Sequence, residues 1–271
     1  MHRAALKVLG LPHDYFAFLV RNNELEPAIA GAKALGMGGL NLTVPHKKAG
    51  LEVVDVATET AQRIGAVNTV IFKGGRSVGD NTDGIGFSRA VRELGGPTIK
   101  RAVVLGAGGA SRAIVDALRH PSRPANGAWS SLRDPVRIRW VSRQPDVLPE
   151  RPGVTRTSWD DINEIIRDAD LLVNATTVGM PKGPVGFPVP VDPSRLPEDG
   201  RVIDIVYPRP TWGLLDAAEQ AGKQVQDGLP MLLWQGVAAL ELWLKRTLPT
   251  EAVDAMRKTL NSEAGESVSH T

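Results

Sequence analysis

In the stretch GLNLTVPHKK, Gly39 to Lys48, an apolar run is interrupted by Asn41 and Thr43, stopped by Pro45 and followed by Lys47. The spacing of two puts both uncharged hydrogen-bonding side chains on one face of a strand. Proline then ends the strand, and a lysine opens the next element. A plain core strand would keep its apolar run. This pattern suits a place where polar groups converge on a small ligand.

A second stretch, VVLGAGGAS, sets Gly106, Gly108 and Ser111 on a G-x-G-x-x-G/A spacing after an apolar strand and before a helix. Gly106 permits a tight turn, Gly108 lets the backbone approach a pyrophosphate, and the helix N-terminus supplies amide donors. Ser111 replaces the last small residue. A ligand-free glycine turn is the plainer alternative, but the strand–turn–helix context favours a dinucleotide. At the end of the next strand, WVSRQ offers Ser142, Arg143 and Gln144 where an NAD enzyme carries an acid. An arginine there pairs with a 2′-phosphate, which favours NADP, unless it is only a solvated strand end.

These residues need a scaffold of short strands and helices. HDYFAFLV reads as a strand, ELEPAIAGAKALG as an amphipathic helix, GLNLTV as a second strand, and AVNTVIFKGG as a third ending in a Gly-Gly turn. From KRAVVLGAGGASRAIVDALR onward, strands in VRIRWVS, DLLVNAT and RVIDIVY alternate with helices at WDDINEIIRDA and TWGLLDAAEQAG. The alternation predicts an α/β chain with a parallel sheet covered by helices on both faces. LPMLLWQGVAALELWLKR reads as a long apolar helix, HPSRPANGAWSSLRDP as a surface loop, and the polar tail after about Asn261 as frayed.

The composition of the 271 residues, 42% hydrophobic and 23% charged, is that of a globular protein long enough for two domains. A net charge of +2 with scattered arginines argues against nucleic-acid binding. The absence of cysteine excludes disulfides, thiolate metal sites and a cysteine nucleophile. The histidines show no metal-ligand spacing, so no metal is expected. No apolar run reaches the roughly 18 residues of a membrane span, and no signal peptide is evident, so a cytoplasmic location is expected. Monomer and homodimer both stay open.

Taken in order, GLNLTVPHKK, IGAVNT, GDNTDGIGF, GAGGAS, NATTVGM, DIVYPRPT and DGLPMLLWQG resemble the shikimate dehydrogenase family over nearly the whole chain. NLTVPHK matches the family's N-V-T-x-P-x-K with Leu42 for valine, and Asn81, Thr82, Asp83 and Gly86 match its N-T-D-x-x-G. The resemblance implies an enzyme interconverting 3-dehydroshikimate and shikimate with NADP(H), in the route to chorismate and the aromatic amino acids. It implies a substrate domain over residues 1–98, a Rossmann-like NADP domain over 99–227 and C-terminal helices from 228 to 271 returning to the first. The two domains would face each other across a cleft. Lys47 and Asp83 would be the catalytic pair. Thr43, Asn68 and Gln235 would bind ring hydroxyls, with Tyr207 near the substrate carboxylate. Gly106, Ala107, Gly108, Gly109 and Ala110 would hold the pyrophosphate, and Ser142 with Arg143 the 2′-phosphate end. Thr176, Met180 and Gly228 would line the cofactor side.

Chemistry supports the pair independently of the resemblance. Hydride reduction of a ketone leaves an alkoxide that needs a proton, which a lysine can donate and a neighbouring aspartate can orient. Uncharged Asn, Thr and Gln side chains suit a polyol.

One part departs from the family. Its leading strand and Ser-x-Ser-P segment have no counterpart before MHRAALKVLGLP, and Arg3 stands where the family has asparagine. Losing two hydroxyl donors to a carboxylate costs ~1.5–3 kcal/mol each, more than tenfold in binding apiece. The expectation is a native start upstream of Met1 and weak turnover of the chain as written. Quinate or aminoshikimate dehydrogenases, and a non-catalytic NADP-binding homologue, are the alternatives.

Overall fold

The computed structural model describes residues 1–120, 136–181 and 183–268. The stretch expected to form a surface loop falls almost wholly on residues 121–135, outside the described ones. The chain forms two compact units, residues 1–86 with 233–271, and residues 87–232. Both divisions fall inside helices.

The first unit contains α1 (His2–Val8), α2 (Leu25–Ala34), β1 (Gly39–Asn41), α3 (His46–Val53), β2 (Val56–Ala57), α4 (Glu59–Ile64), β3 (Thr69–Lys73) and β4 (Arg76–Asp80). It also holds the start of α5 (Asp83–Leu94), most of the C-terminal α9 (Leu229–Leu244), and α10 (Thr250–Val268). Its sheet runs β1-β3-β4-β2. Gly74 and Gly75, at φ +58° and +74°, close a β3–β4 hairpin by the turn whose twist suits paired strands. β1 joins β3 antiparallel and β2 joins β4 parallel. The sheet is therefore mixed, correcting the parallel expectation for this half: the Gly-Gly turn returns the chain at once, with no crossover helix. Leu25, Ile29, Leu42, Ala61, Val67 and Val70 form the core beneath it.

HDYFAFLV is not a strand. Its backbone pairs with no strand among the described residues, and Phe16, Phe18 and Leu19 are exposed. Its β-type composition is real, but a strand exists only when a neighbour takes its hydrogen bonds. The tail expectation is also corrected, since α10 continues to Val268; residues 269–271 are not described. Ser, Glu and Ala are tolerated in a helix, so polarity alone did not end it.

His2 is buried in this unit. Its ring stacks on Tyr15 at 4.2 Å, and its Nε2 lies 3.2 Å from the Gly236 carbonyl. Burial, then the N-terminal ammonium, lowers its pKa to about 4. Between the unfolded value near 6.5 and the folded value the unfolded chain binds more protons, so this stability is present above pH 6.5 and lost toward pH 4. The stability difference between the parent and His2→Gln should shrink by about 2 kcal/mol from pH 7.5 to 4.5, read by urea unfolding. A pH-independent difference would refute the neutral, buried imidazole.

The second unit continues with β5 (Arg101–Leu105), α6 (Gly109–Arg119), β6 (Arg137–Val141), β7 (Val154–Thr157), α7 (Ile162–Ile165), β8 (Leu171–Asn174), β9 (Arg201–Asp204), α8 (Leu214–Gln220) and β10 (Gln224–Gln226). All pairings are parallel, in the order β10-β9-β8-β5-β6-β7. The strand runs RAVVL and LLVN are buried on both faces, as a helix-covered parallel sheet demands. From β5 the chain steps outward to β7, then returns to start again at β8. The β5/β8 junction is thus the point where strand order reverses and α/β sheets take ligands. WDDINEIIRDA shortens to the single turn of α7. Its apolar spacing marks Trp159, Ile162 and Ile166 as core, and one turn with flanking bends is enough to bury them.

Candidate active site

In the first unit, four separate segments deliver polar side chains to one place. Lys47 comes from the first turn of α3, whose backbone is pinned by Val67 N–H donating to the Lys47 carbonyl at 2.8 Å. Asp83 is the first residue of α5, and its own N–H is capped by Asn81 Oδ1 at 3.0 Å. Lys47 Nζ donates to Asp83 Oδ2 at 2.6 Å, with the lysine side chain 21% and the aspartate 5% exposed. The carboxylate's other oxygen accepts from Asn68 Nδ2 at 2.8 Å. Asn68 precedes β3, and its Oδ1 accepts the Thr82 backbone N–H at 2.8 Å. The pair is therefore an ammonium partly open to solvent on a carboxylate that is buried and hydrogen-bonded on both oxygens.

Gly86, one turn beyond Asp83, lets α9 approach: a Cβ there would lie 2.8 Å from Gln235 N. Half-buried Gln235 thus packs one helical turn from the carboxylate. Thr43 is exposed on the turn before α3, where its carbonyl accepts His46 N–H, and its hydroxyl takes no part in the cluster.

In the second unit, Gly106 ends β5 at φ +111° and lies so close to the β8 end that a Cβ would sit 2.6 Å from the Ala175 carbonyl oxygen. Gly108 is the N-cap of α6, and a Cβ on it would meet nothing within 4 Å. The open space lies before a helix whose first amides have no intrahelical partner. Ser111 Oγ donates to the Gly106 carbonyl at 2.6 Å, and Trp140 Nε1 lies 2.7 Å from both. Across the junction, Thr176 is tied to Asn174 Oδ1 by its N–H at 3.0 Å and its hydroxyl at 2.7 Å. Asn174 in turn donates to Asp204, whose pKa burial raises. Gly106 N–H bonds the Val141 carbonyl, bringing the turn beside Ser142 and Arg143. Ser142 is buried and Arg143 is exposed, with no ion pair among the described residues.

Residues 1–70 match the family model described as shikimate dehydrogenase substrate binding domain, and residues 228–260 that of the shikimate 5′-dehydrogenase C-terminal domain. The shikimate dehydrogenase (NADP(+)) of Methanopyrus kandleri is 42% identical over 93% of this chain and 87% of its own. The chain belongs to the shikimate dehydrogenase family. Among solved structures, the Thermus thermophilus enzyme in complex with NADP(H) and shikimate superposes with a TM-score of 0.73 at 36% identity, covering 95% of this chain and 94% of that one. A 5-ketofructose reductase of Gluconobacter superposes with 0.77 at 32% identity, covering 96% and 90%.

Within the family frame, the structure joins Lys47, Asp83 and Asn68 directly, with Gln235 adjacent in the same unit. Gly106 to Ala110, Ser142, Arg143 and Thr176 gather at the β5 end of the second unit. Tyr207, half-buried, follows Val206, whose N–H binds Asp204, and a Cβ on Gly228 would lie 2.5 Å from the Ile205 carbonyl. Both thus flank the end of β9. Met180 is 41% exposed beyond Gly179. Sequence reasoning missed Thr69, whose hydroxyl donates to Asn68 Oδ1 at 2.9 Å, and Trp140. A buried tryptophan in an apolar strand reads as core, and nothing local showed that its N–H would hold the glycine turn.

Arg143→Ala should weaken NADPH binding tenfold or more, since a charged hydrogen bond contributes about 1.5–3 kcal/mol, and leave NADH unchanged. Titrations with both cofactors check this. An unaltered preference would remove Arg143 from the 2′-phosphate.

Proposed function

We propose that this protein catalyses the reversible NADP(H)-dependent reduction of 3-dehydroshikimate to shikimate, in aromatic amino acid biosynthesis. The observation that supports it best is the 2.6 Å contact of Lys47 Nζ with Asp83 Oδ2, inside the unit whose sequence matches the substrate binding domain. NADPH fits the second unit: the turn leaves open space at Gly108 before unpartnered helix amides, and an exposed arginine stands at the neighbouring strand end. Gly106 to Ala110 would hold its pyrophosphate, Arg143 its 2′-phosphate, and Thr176, Met180 and Gly228 its nicotinamide side. Bound NADPH supplies the hydride.

The protein supplies the proton. As the carbonyl oxygen of 3-dehydroshikimate gains charge, the Lys47 ammonium donates a proton to it, leaving neutral lysine and a hydroxyl. In the oxidation of shikimate, neutral Lys47 removes that proton. Asp83 orients Nζ by accepting its hydrogen bond, and Asn68 keeps the carboxylate from rotating. Thr43 and Gln235 of the same unit would bind the ring hydroxyls. Uncharged donors recognise a polyol without adding a charge that competes for the lysine.

Purified protein assayed with shikimate, quinate, aminoshikimate and fructose, each with NADP+ and NAD+, tests this reading. Nicotinamide reduction with shikimate and NADP+ as the best pair is expected. Cofactor binding with no turnover on any of the four would overturn it, and another preferred polyol would correct the substrate.

A further inference from the structure

The Lys47–Asp83 pair stands at the end of a longer hydrogen-bonded relay that runs from Asn68 through Thr69 and Asn41 to Tyr15, the last three with no assigned role. Register creates it. β1 and β3 pair with Asn41 directly opposite Thr69, so the two side chains share one face of the sheet. Asn41 Nδ2 donates to the Asn68 carbonyl at 3.2 Å and to Thr69 Oγ1 at 3.3 Å. Thr69 Oγ1 donates to Asn68 Oδ1 at 2.9 Å, and Asn68 Nδ2 donates to Asp83 Oδ1 at 2.8 Å. At the far end, the Tyr15 hydroxyl donates to Asn41 Oδ1 at 3.0 Å.

Backbone groups set the direction. The Asn68 carbonyl can only accept, so the Asn41 amide presents its nitrogen to β3 and its oxygen to Tyr15. The Thr82 N–H can only donate, so the Asn68 amide presents its oxygen to Thr82 and its nitrogen to Asp83. Thr69 receives a hydrogen from Asn41 and passes its own to Asn68. Thr69 is fully buried, and Asn68 and Thr82 are 2% exposed, so no water competes for the bonds among these three. Tyr15 is held in turn by its stack on His2 and its tilted contact with Trp243, and burial raises its pKa, keeping the hydroxyl a donor.

We propose that Thr69 is a positioning residue for the Lys47–Asp83 pair, its hydroxyl locking the Asn68 amide that orients the Asp83 carboxylate, with Tyr15 and Asn41 anchoring the relay. The proposal rests on the assignment of Lys47 as proton donor. Without the Thr69 hydroxyl, Asn68 Oδ1 keeps the Thr82 N–H and hydroxyl as donors but loses the third, which loosens the amide and with it the position at which Asp83 holds Nζ.

Thr69→Val keeps the side-chain shape and removes the hydroxyl, and Thr69→Ser restores it. In steady-state assays Thr69→Val should lower kcat about tenfold with KM for shikimate near the parent value, because a small misplacement of a reacting group costs rate more than binding. The pH at which kcat is half-maximal should move, and Thr69→Ser should return both to the parent. Tyr15→Phe, which preserves the aromatic stack, should show a smaller loss of the same kind. Parent-like kcat and pH profile in Thr69→Val would overturn the proposal. If Thr69→Val melts early, Tyr15→Phe decides: reduced kcat at unchanged KM and melting temperature supports the relay, and parent kcat overturns it. Lys47→Ala separates the two readings. Collapse of turnover there beside an unaffected Thr69→Val sinks only the relay, whereas retained turnover in Lys47→Ala sinks the site assignment itself.

Discussion

Lys47→Ala should lower shikimate turnover by about 10²–10⁴-fold, the usual contribution of a positioned general acid or base. Alanine removes the ammonium that pairs with the Asp83 carboxylate and with it the group placed to exchange a proton with the substrate oxygen. The groups proposed to hold the cofactor belong to the other compact unit, built around its own core, so NADPH affinity should stay near the parent value. The change also strips a partner from a buried carboxylate, which costs stability. A melting curve and a substrate-saturated assay below the melting temperature separate that cost from the lost chemistry. Lys47→Arg sharpens the test, because guanidinium preserves the charge and the contact with Asp83 but does not release its proton near neutral pH. It should be nearly as slow as alanine while melting closer to the parent. Equal loss of NADPH affinity in Lys47→Ala, or rapid turnover in either variant, would refute the assignment.

The second large effect is expected at the glycine turn, where two neighbouring alanine substitutions should fail for different reasons. At Gly106 the backbone is at φ +111° and a Cβ would meet the Ala175 carbonyl oxygen at 2.6 Å. Backbone cannot move aside as a flexible side chain does, and positive φ costs a non-glycine residue about 1–3 kcal/mol before the clash is counted. Gly106→Ala should therefore lower the melting temperature and abolish NADPH binding together. At Gly108 φ is −73° and the Cβ position is empty, so the fold tolerates alanine. Only a ligand would meet that methyl. Gly108→Ala should melt like the parent without cofactor, bind NADPH at least tenfold more weakly, about 1.4 kcal/mol, and lose most of the NADPH-induced melting shift. Unchanged NADPH affinity in Gly108→Ala would take the pyrophosphate away from this turn.

Much of the second unit was legible because each of its elements carries its own local signal. A buried parallel strand is a continuous apolar run, and β5, β6, β8 and β9 all stand where such runs occur. The glycine turn was readable for the same reason, since its shape depends on neighbours one to five residues away. The first unit was less legible. HDYFAFLV has the composition of a strand and is not one, because pairing is a property of two segments. Its β2 and β4, like β7 and β10 of the second unit, are short edge or hairpin pieces with little apolar periodicity, which no local pattern marks as strands.

The sequence by itself determined the residue types of the site, the family they belong to and the strand–turn–helix unit suited to a dinucleotide. These follow from side-chain chemistry and short-range spacing. It could not determine which polar groups meet. Asn41, Thr69, Asn68, Thr82 and Asp83 become one directed network only because β1 pairs with β3 in a particular register and α5 starts beside Asn68. A change of register by one residue would turn Asn41 to the opposite face of the sheet and break the relay. That choice is made by the burial of Leu42, Val67 and Val70 in a shared core, a long-range packing energy that no local stretch encodes.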